Sequence, residues 1–157
     1  MRAIRFSRTG GPEVLDVVDV PVPQPGPGQI LIRHHAIGVN FIDTYHRSGL
    51  YPLKLPSGLG MEGAGEVEAI GEGVTRFSVG DLAVYASGPI GAYAEYNAVA
   101  ADRAVRIPDG VTPDLAAASL LKGMTAEFLI RRCRTVNPGE TILVHAAAGG
   151  VGSILVQ

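Results

Sequence analysis

Between residues 21 and 28 every second residue is a proline: Pro21, Pro23, Pro25 and Pro27, with Gly26 and Gly28 beside them. Proline has no N–H and restricts the residue before it, so this stretch cannot be helix. It reads as an extended connector ending in a turn. The rest of the chain has the same texture. Its 21 glycines and 11 prolines among 157 residues follow no collagen period and punctuate many short elements.

The first half reads as short strands. Met1 to Phe6 alternates and runs into the turn cluster Thr9-Gly10-Gly11-Pro12. Val14 to Val20 is a second apolar run, and Gln29 to Val39 is a strand. Asn40 is a plausible N-cap for a short helix, Phe41 to Ser48, closed by Gly49. Gly63 to Ile70, Leu82 to Tyr85 and Gly91 to Val99 read as further strands. Near Pro108-Asp109-Gly110 the pattern changes. Leu115, Ala118, Leu121, Met124, Phe128 and Leu129 fall at helical spacing, so the reading is a helix over Asp114 to Arg131. Pro138-Gly139 breaks it. Thr141 to Ala146 reads as a buried strand, followed by a glycine turn and a helix over Ser153 to Gln157. The expected fold is a mostly β domain over residues 1–112, followed by the opening βα unit of an α/β domain over 113–157.

Composition narrows the function classes. With 46% hydrophobic and 18% charged residues, a packed core is within reach. Thirteen Lys and Arg against 15 Asp and Glu give a net charge of −2, which argues against a nucleic-acid-binding face. One cysteine excludes an internal disulfide framework and a multi-cysteine zinc site. No stretch approaches the roughly 20 apolar residues of a membrane span. Met1-Arg2-Ala3-Ile4-Arg5 leads into alternating residues, so no signal peptide is expected and the expected compartment is the cytoplasm.

The segment Thr141 to Gly152 is strand, glycine turn, helix start. A dinucleotide pyrophosphate needs that order, because the free N–H groups and dipole of a helix N-terminus face the anion. Glycines let backbone approach the phosphates and let helix and strand pack closely. Against Gly-x-Gly-x-x-Gly the chain has Ala147, Gly149 and Gly152. A tight turn that binds nothing fits the same residues.

Other motifs add up to a family. Gly10-Gly11-Pro12-Glu13-Val14-Leu15, Gly38-Val39-Asn40-Phe41-Ile42-Asp43-Thr44-Tyr45 and Gly60-Met61-Glu62-Gly63-Ala64-Gly65 occur in order. Lys122-Gly123-Met124-Thr125 and Ala146-Ala147-Ala148-Gly149-Gly150-Val151-Gly152 follow. With these the chain resembles the zinc-independent quinone oxidoreductases of the medium-chain dehydrogenase/reductase superfamily. The resemblance implies a GroES-like β domain followed by a Rossmann domain. It further implies NADPH as cofactor, a small-molecule quinone or related enone as substrate, and a homo-oligomer, with no nucleic acid or membrane as partner. Members are about twice this length, so a non-catalytic fragment or association module is the alternative.

Zinc-dependent relatives carry a cysteine and a histidine where this chain has Asn40 and Met61, both poor zinc ligands. His34, His35, His46 and His145 share no metal spacing, so no metal is expected. A quinone oxygen gaining charge needs hydrogen-bond donors. The family places Asn40, Tyr45 and Tyr51 against nicotinamide and substrate, and these are the candidate catalytic residues. Asn40 could instead only cap its helix, and the tyrosines could be packing with wet hydroxyls. By resemblance Asn40, Phe41, Asp43, Thr125, Ala148, Gly149, Gly150, Val151 and Gly152 contact the cofactor. Asp43 could instead be a solvated first-turn acid. Glu62 reads as a maker of structural hydrogen bonds, Glu66 and Glu68 as a solvated strand face, and Cys133 as incidental.

Overall fold

The computed structural model describes residues 1–157. The chain divides into two compact units, Met1–Ala117 and Ala118–Gln157.

The first unit is built on strands. β1 (Arg2–Arg5) and β2 (Asp16–Asp19) form an antiparallel pair. A five-stranded antiparallel sheet holds the rest: β3 (Gln29–Gly38), β4 (Glu62–Ile70), β5 (Leu82–Tyr85), β6 (Tyr96–Ala100) and β7 (Ala104–Arg106), in the order β6-β3-β4-β5-β7. β3 pairs β4 from Ile30↔Ile70 to Gly38↔Glu62, with register shifts after Leu31 and after His34. Ile30, Ile32, Val67, Ala83, Tyr85 and Val99 from these strands pack with Phe77 into the main core. Each fully buried aliphatic side chain contributes on the order of 1.5–3 kcal/mol over leaving it exposed. A second cluster joins Phe6, Val14 and Leu59. The proline run is extended, and its closing turn is held by Gln29 N–H to Gly26 O at 3.0 Å and Gly28 N–H to Glu72 O at 2.8 Å.

α1 (Phe41–Ser48) has the expected limits, with Asn40 at the N-cap and Gly49 left-handed (φ 86°) at the C-cap. Two strand expectations shift. The run from Val14 opens with a single 3-10 turn over Pro12–Val14 before β2. The strand expected from Gly91 begins at Tyr96, because residues 91–95 spend their backbone groups on other elements. Gly91 and Tyr93 donate to Gly60 and Leu59, and Glu95 donates to Arg2. Glu66 and Glu68 do share an outward face, where Arg33 pairs with both, at 2.7 and 2.5 Å.

α2 runs over Pro113–Glu127, and the turns after it widen to π-helix over Phe128–Cys133, where the sequence pattern gives one regular helix to Arg131. The expected strand Thr141–Ala146 does not form: residues 141–144 have no regular secondary structure and 145–148 turn. A strand takes its hydrogen bonds from a neighbour, and no other segment of the 157 residues pairs with this one. α3 (Gly150–Leu155) starts three residues earlier than expected. The glycines form its first turn: Gly149 N–H meets Ala146 O and Ser153 N–H meets Gly149 O, both at 2.8 Å. No helix is long and apolar enough to cross a membrane.

Candidate active site

β3 ends at Gly38, directly opposite Glu62 at the start of β4. Glu62 is fully buried. A glycine at 38 is what leaves room for it, since an added Cβ would overlap the Glu62 carboxylate and stand 2.6 Å from its Cδ. Two residues on, Asn40 forms a capping box with Asp43, and its backbone N–H donates to Asp43 Oδ2 at 2.9 Å. The Asn40 side-chain amide donates to Glu62 Oε2, also at 2.9 Å. Asn40 is therefore both a cap and an amide held in a fixed orientation. Glu62 makes the structural hydrogen bond that the sequence suggests.

Asp43 is not the solvated acid that was one of its two readings. It is 3% exposed. Its Oδ2 accepts the Tyr93 hydroxyl at 2.9 Å as well as the Asn40 N–H. Burial, and next the donation to the Asp43 carboxylate, push the Tyr93 phenol up. Asp43 Oδ1 is buried without a partner, and so is Nδ1 of His46, one turn further on the same face of α1.

The opposite side of α1 is apolar and exposed. Phe41 and Tyr45 meet edge to face at a centroid distance of 5.4 Å, and Tyr45 and Tyr51 lie 5.3 Å apart. Phe41 is 75% and Tyr51 49% exposed. Tyr51 N–H bonds to Tyr45 O at 3.1 Å, which fastens the chain beyond α1 to the helix. Asn40, Phe41, Tyr45 and Tyr51 thus lie at one helix and the turn that follows it, a cluster of mutually tilted aromatic rings that begins one residue after a fixed amide.

Sequence reading missed a half-buried polar cluster built around the buried Tyr85 in the same unit. His34 lies on β3, Tyr85 on β5 and Asn97 on β6. The Asn97 amide donates to the Tyr85 oxygen at 2.8 Å, Tyr85 OH lies 3.0 Å from His34 Nε2, and His34 Nδ1 lies 2.7 Å from Ala94 O. A carbonyl only accepts, so Nδ1 carries the proton and Tyr85 donates to Nε2. Burial pushes the His34 pKa down. The missed signal is the adjacent pair His34-His35, of which one residue had to face inward.

In the second unit, Gly149, Gly150 and Gly152 surround the start of α3. Gly152 is buried. A Cβ there would overlap Ala146 O and stand 2.8 Å from Ala147 Cα. This is the close approach of helix and preceding chain that a pyrophosphate cradle requires. The Lys122 stem lies over Gly150, 3.2–3.5 Å from where a Cβ would be. Sequence reading did not single out Lys122. Ala148 is exposed and Val151 half-buried. Thr125 donates its hydroxyl to Leu121 O at 2.8 Å, within its own helix. The glycine turn fits a dinucleotide's phosphates. No three His, Cys, Asp or Glu side chains cluster. At position 40 an amide nitrogen faces Glu62.

The antiparallel sheet, the cap at Asn40 and the buried acid beside it define a class. The chain belongs to the family described as "Alcohol dehydrogenase GroES-like domain", which matches residues 26–109. Across its whole length it is similar to the quinone oxidoreductases of the medium-chain dehydrogenase/reductase superfamily. It is 55% identical to the Pseudomonas aeruginosa quinone oxidoreductase over 99% of this chain and 48% of that protein. The crystal structure of Escherichia coli quinone oxidoreductase complexed with NADPH superposes with a TM-score of 0.96 at 47% identity, over 99% of this chain and 48% of that one. The 2-haloacrylate reductase of a Burkholderia species is 43% identical over 95% of this chain and 46% of that protein. The chain spans about half the length of the curated relatives it matches.

Proposed function

We propose that the protein acts as an NADPH-dependent, metal-free quinone oxidoreductase of the cytoplasm. The observation that supports it most is the Asn40 amide, held by buried Glu62 next to the exposed surface of Phe41, Tyr45 and Tyr51. Relatives at this identity are named quinone oxidoreductases.

NADPH supplies the hydride. In this reading the turn at Ala148, Gly149, Gly150, Val151 and Gly152, with Lys122 beside it, would hold the pyrophosphate, and Thr125 would contribute to holding the cofactor. The aromatic surface stacks on the flat acceptor. Hydride arrival leaves negative charge on a quinone oxygen. The second N–H of the Asn40 amide and the hydroxyls of Tyr45 and Tyr51 are donors placed to receive that charge. The proton that completes the hydroquinone reaches the oxygen from water through an exposed tyrosine. Phe41 would help hold the nicotinamide, and Asp43 would contribute by fixing the start of α1.

The test is NADPH oxidation with a simple quinone by the complete polypeptide, compared with Asn40→Ala and Tyr51→Phe. Losing one well-placed donor costs about tenfold or more in kcat. Unchanged rates in both variants refute these roles. A second reading, reduction of a C=C bond conjugated to a carbonyl, is favoured by the relative named 2-haloacrylate reductase. The ratio of kcat/KM for a quinone and for an enone separates the two.

A further inference from the structure

We propose that Tyr93 is a positioning residue for Asn40, acting through Asp43; the inference rests on the role given to Asn40 above. Two donors converge on one oxygen. The Tyr93 hydroxyl and the Asn40 backbone N–H both reach Asp43 Oδ2 at 2.9 Å. The other carboxylate oxygen is buried without a partner. A buried acid held by so few donors keeps its orientation only while both are present.

The Tyr93 ring is fixed from outside the helix. Its N–H donates to Leu59 O at 2.9 Å, and its carbonyl accepts the Ile4 N–H at 2.8 Å. The hydroxyl therefore ties the first turn of α1 to β1 and to the loop before β4. An alternative orientation for the carboxylate is built in. His46 lies three residues on, on the same helix face, and its buried Nδ1 also lacks a partner. Residues three apart on a helix are neighbours. Without the Tyr93 hydroxyl, Asp43 is free to turn toward His46 and release the Asn40 N–H. Asn40 would then keep only its side-chain bond to Glu62, with its backbone N–H unheld.

The experiment uses Tyr93→Phe, Asp43→Asn and the double variant, with two readouts. In ¹⁵N-edited NMR of the complete polypeptide, the backbone and side-chain amides of Asn40 exchange at least tenfold faster in Tyr93→Phe, while the amides of β3 and β4 stay in place. Unshifted, equally protected Asn40 amides overturn the proposal. In steady-state assays of the complete polypeptide, Tyr93→Phe lowers kcat for a quinone at least fivefold with the KM for NADPH within twofold of wild type. The double variant is no worse than Asp43→Asn alone. Additive losses, or a raised KM for NADPH with kcat unchanged, also overturn it. A wild-type protein without quinone reduction removes the function proposed above, and the NMR arm still decides the positioning. Should Tyr93→Phe not fold, Asp43→Asn alone must mobilise Asn40 in the same spectra, and a rigid Asn40 there overturns the proposal.

Discussion

Replacing Gly38 by alanine tests how the sheet creates the site. The added methyl would overlap the Glu62 carboxylate and lie 2.6 Å from Cδ and 2.8 Å from Cγ. Relaxed carbon–carbon contact needs about 3.5–4.0 Å, so a fully buried side chain must move by about 1 Å. Gly38 and Glu62 are direct partners across β3 and β4, so the strands cannot separate there without losing ladder hydrogen bonds. Overpacking of this kind costs about 1–3 kcal/mol. If Glu62 swings aside, its bond from Asn40 goes too, a further ~1.5–3 kcal/mol for a hydrogen bond to a charged group. Alanine in a strand returns about 0.5–1 kcal/mol relative to glycine. The net expectation is a loss of about 2–5 kcal/mol. Urea unfolding followed by far-UV circular dichroism reads it: with m of about 1–3 kcal/mol/M, the midpoint falls by about 1 M or more. Shortening the partner in Gly38→Ala/Glu62→Ala should recover the overpacking part, so the two changes are not additive. A Gly38→Ala midpoint equal to wild type would refute the steric argument.

Gly123→Ala should act in the opposite sense. Gly123 lies inside α2 with nothing within 4 Å of its would-be Cβ, so the change should add about 0.5–1 kcal/mol in the same unfolding assay. Tyr85→Phe removes the hydroxyl shared by Asn97 and His34 and should cost about 1–3 kcal/mol, with the imidazole titration of His34 visibly altered by NMR. His34 gives a pH dependence of known sign. Burial lowers its folded pKa below 6.5, so the unfolded chain binds more protons and stability falls as pH drops below about 6.5. The slope is at most about 1.4 kcal/mol per pH unit for one group. A stability profile flat between pH 7 and 5 in wild type, equal to that of His34→Asn, would contradict this. Arg33→Ala should cost less than about 1 kcal/mol, because its ion pairs with Glu66 and Glu68 are about 40% exposed, and the difference should shrink in 1 M salt.

The limits of α1 were legible because Asn40 and Gly49 act locally: a cap and a left-handed residue need no tertiary partner. β3 and β5 were legible because their apolar pattern is long or bounded by turns. The strand expected from Gly91 was not, since the chain there bonds to Gly60, Leu59 and Arg2, and no pattern in residues 91–95 encodes distant partners. Thr141–Val144 has a strand's composition, but a strand exists only beside another. The aromatic residues of the site could be named from the resemblance. The burial of Asp43 could not, because an acid at the third helical position is normally wet, and its side-chain partner outside the helix is Tyr93, 50 residues away.

The five tyrosines, in a chain with no tryptophan, give the protein an optical reporter of its own. Tyr93 donates its proton to a carboxylate, an arrangement that quenches phenol emission. Tyr51 remains half-exposed against Tyr45 at the aromatic surface. With no indole to outshine them, Tyr45 and Tyr51 contribute to the tyrosine emission of the chain alongside Tyr85 and Tyr96. On the function proposed above, a quinone settling at the aromatic surface would dim the Tyr45 and Tyr51 part of that emission without any label being attached.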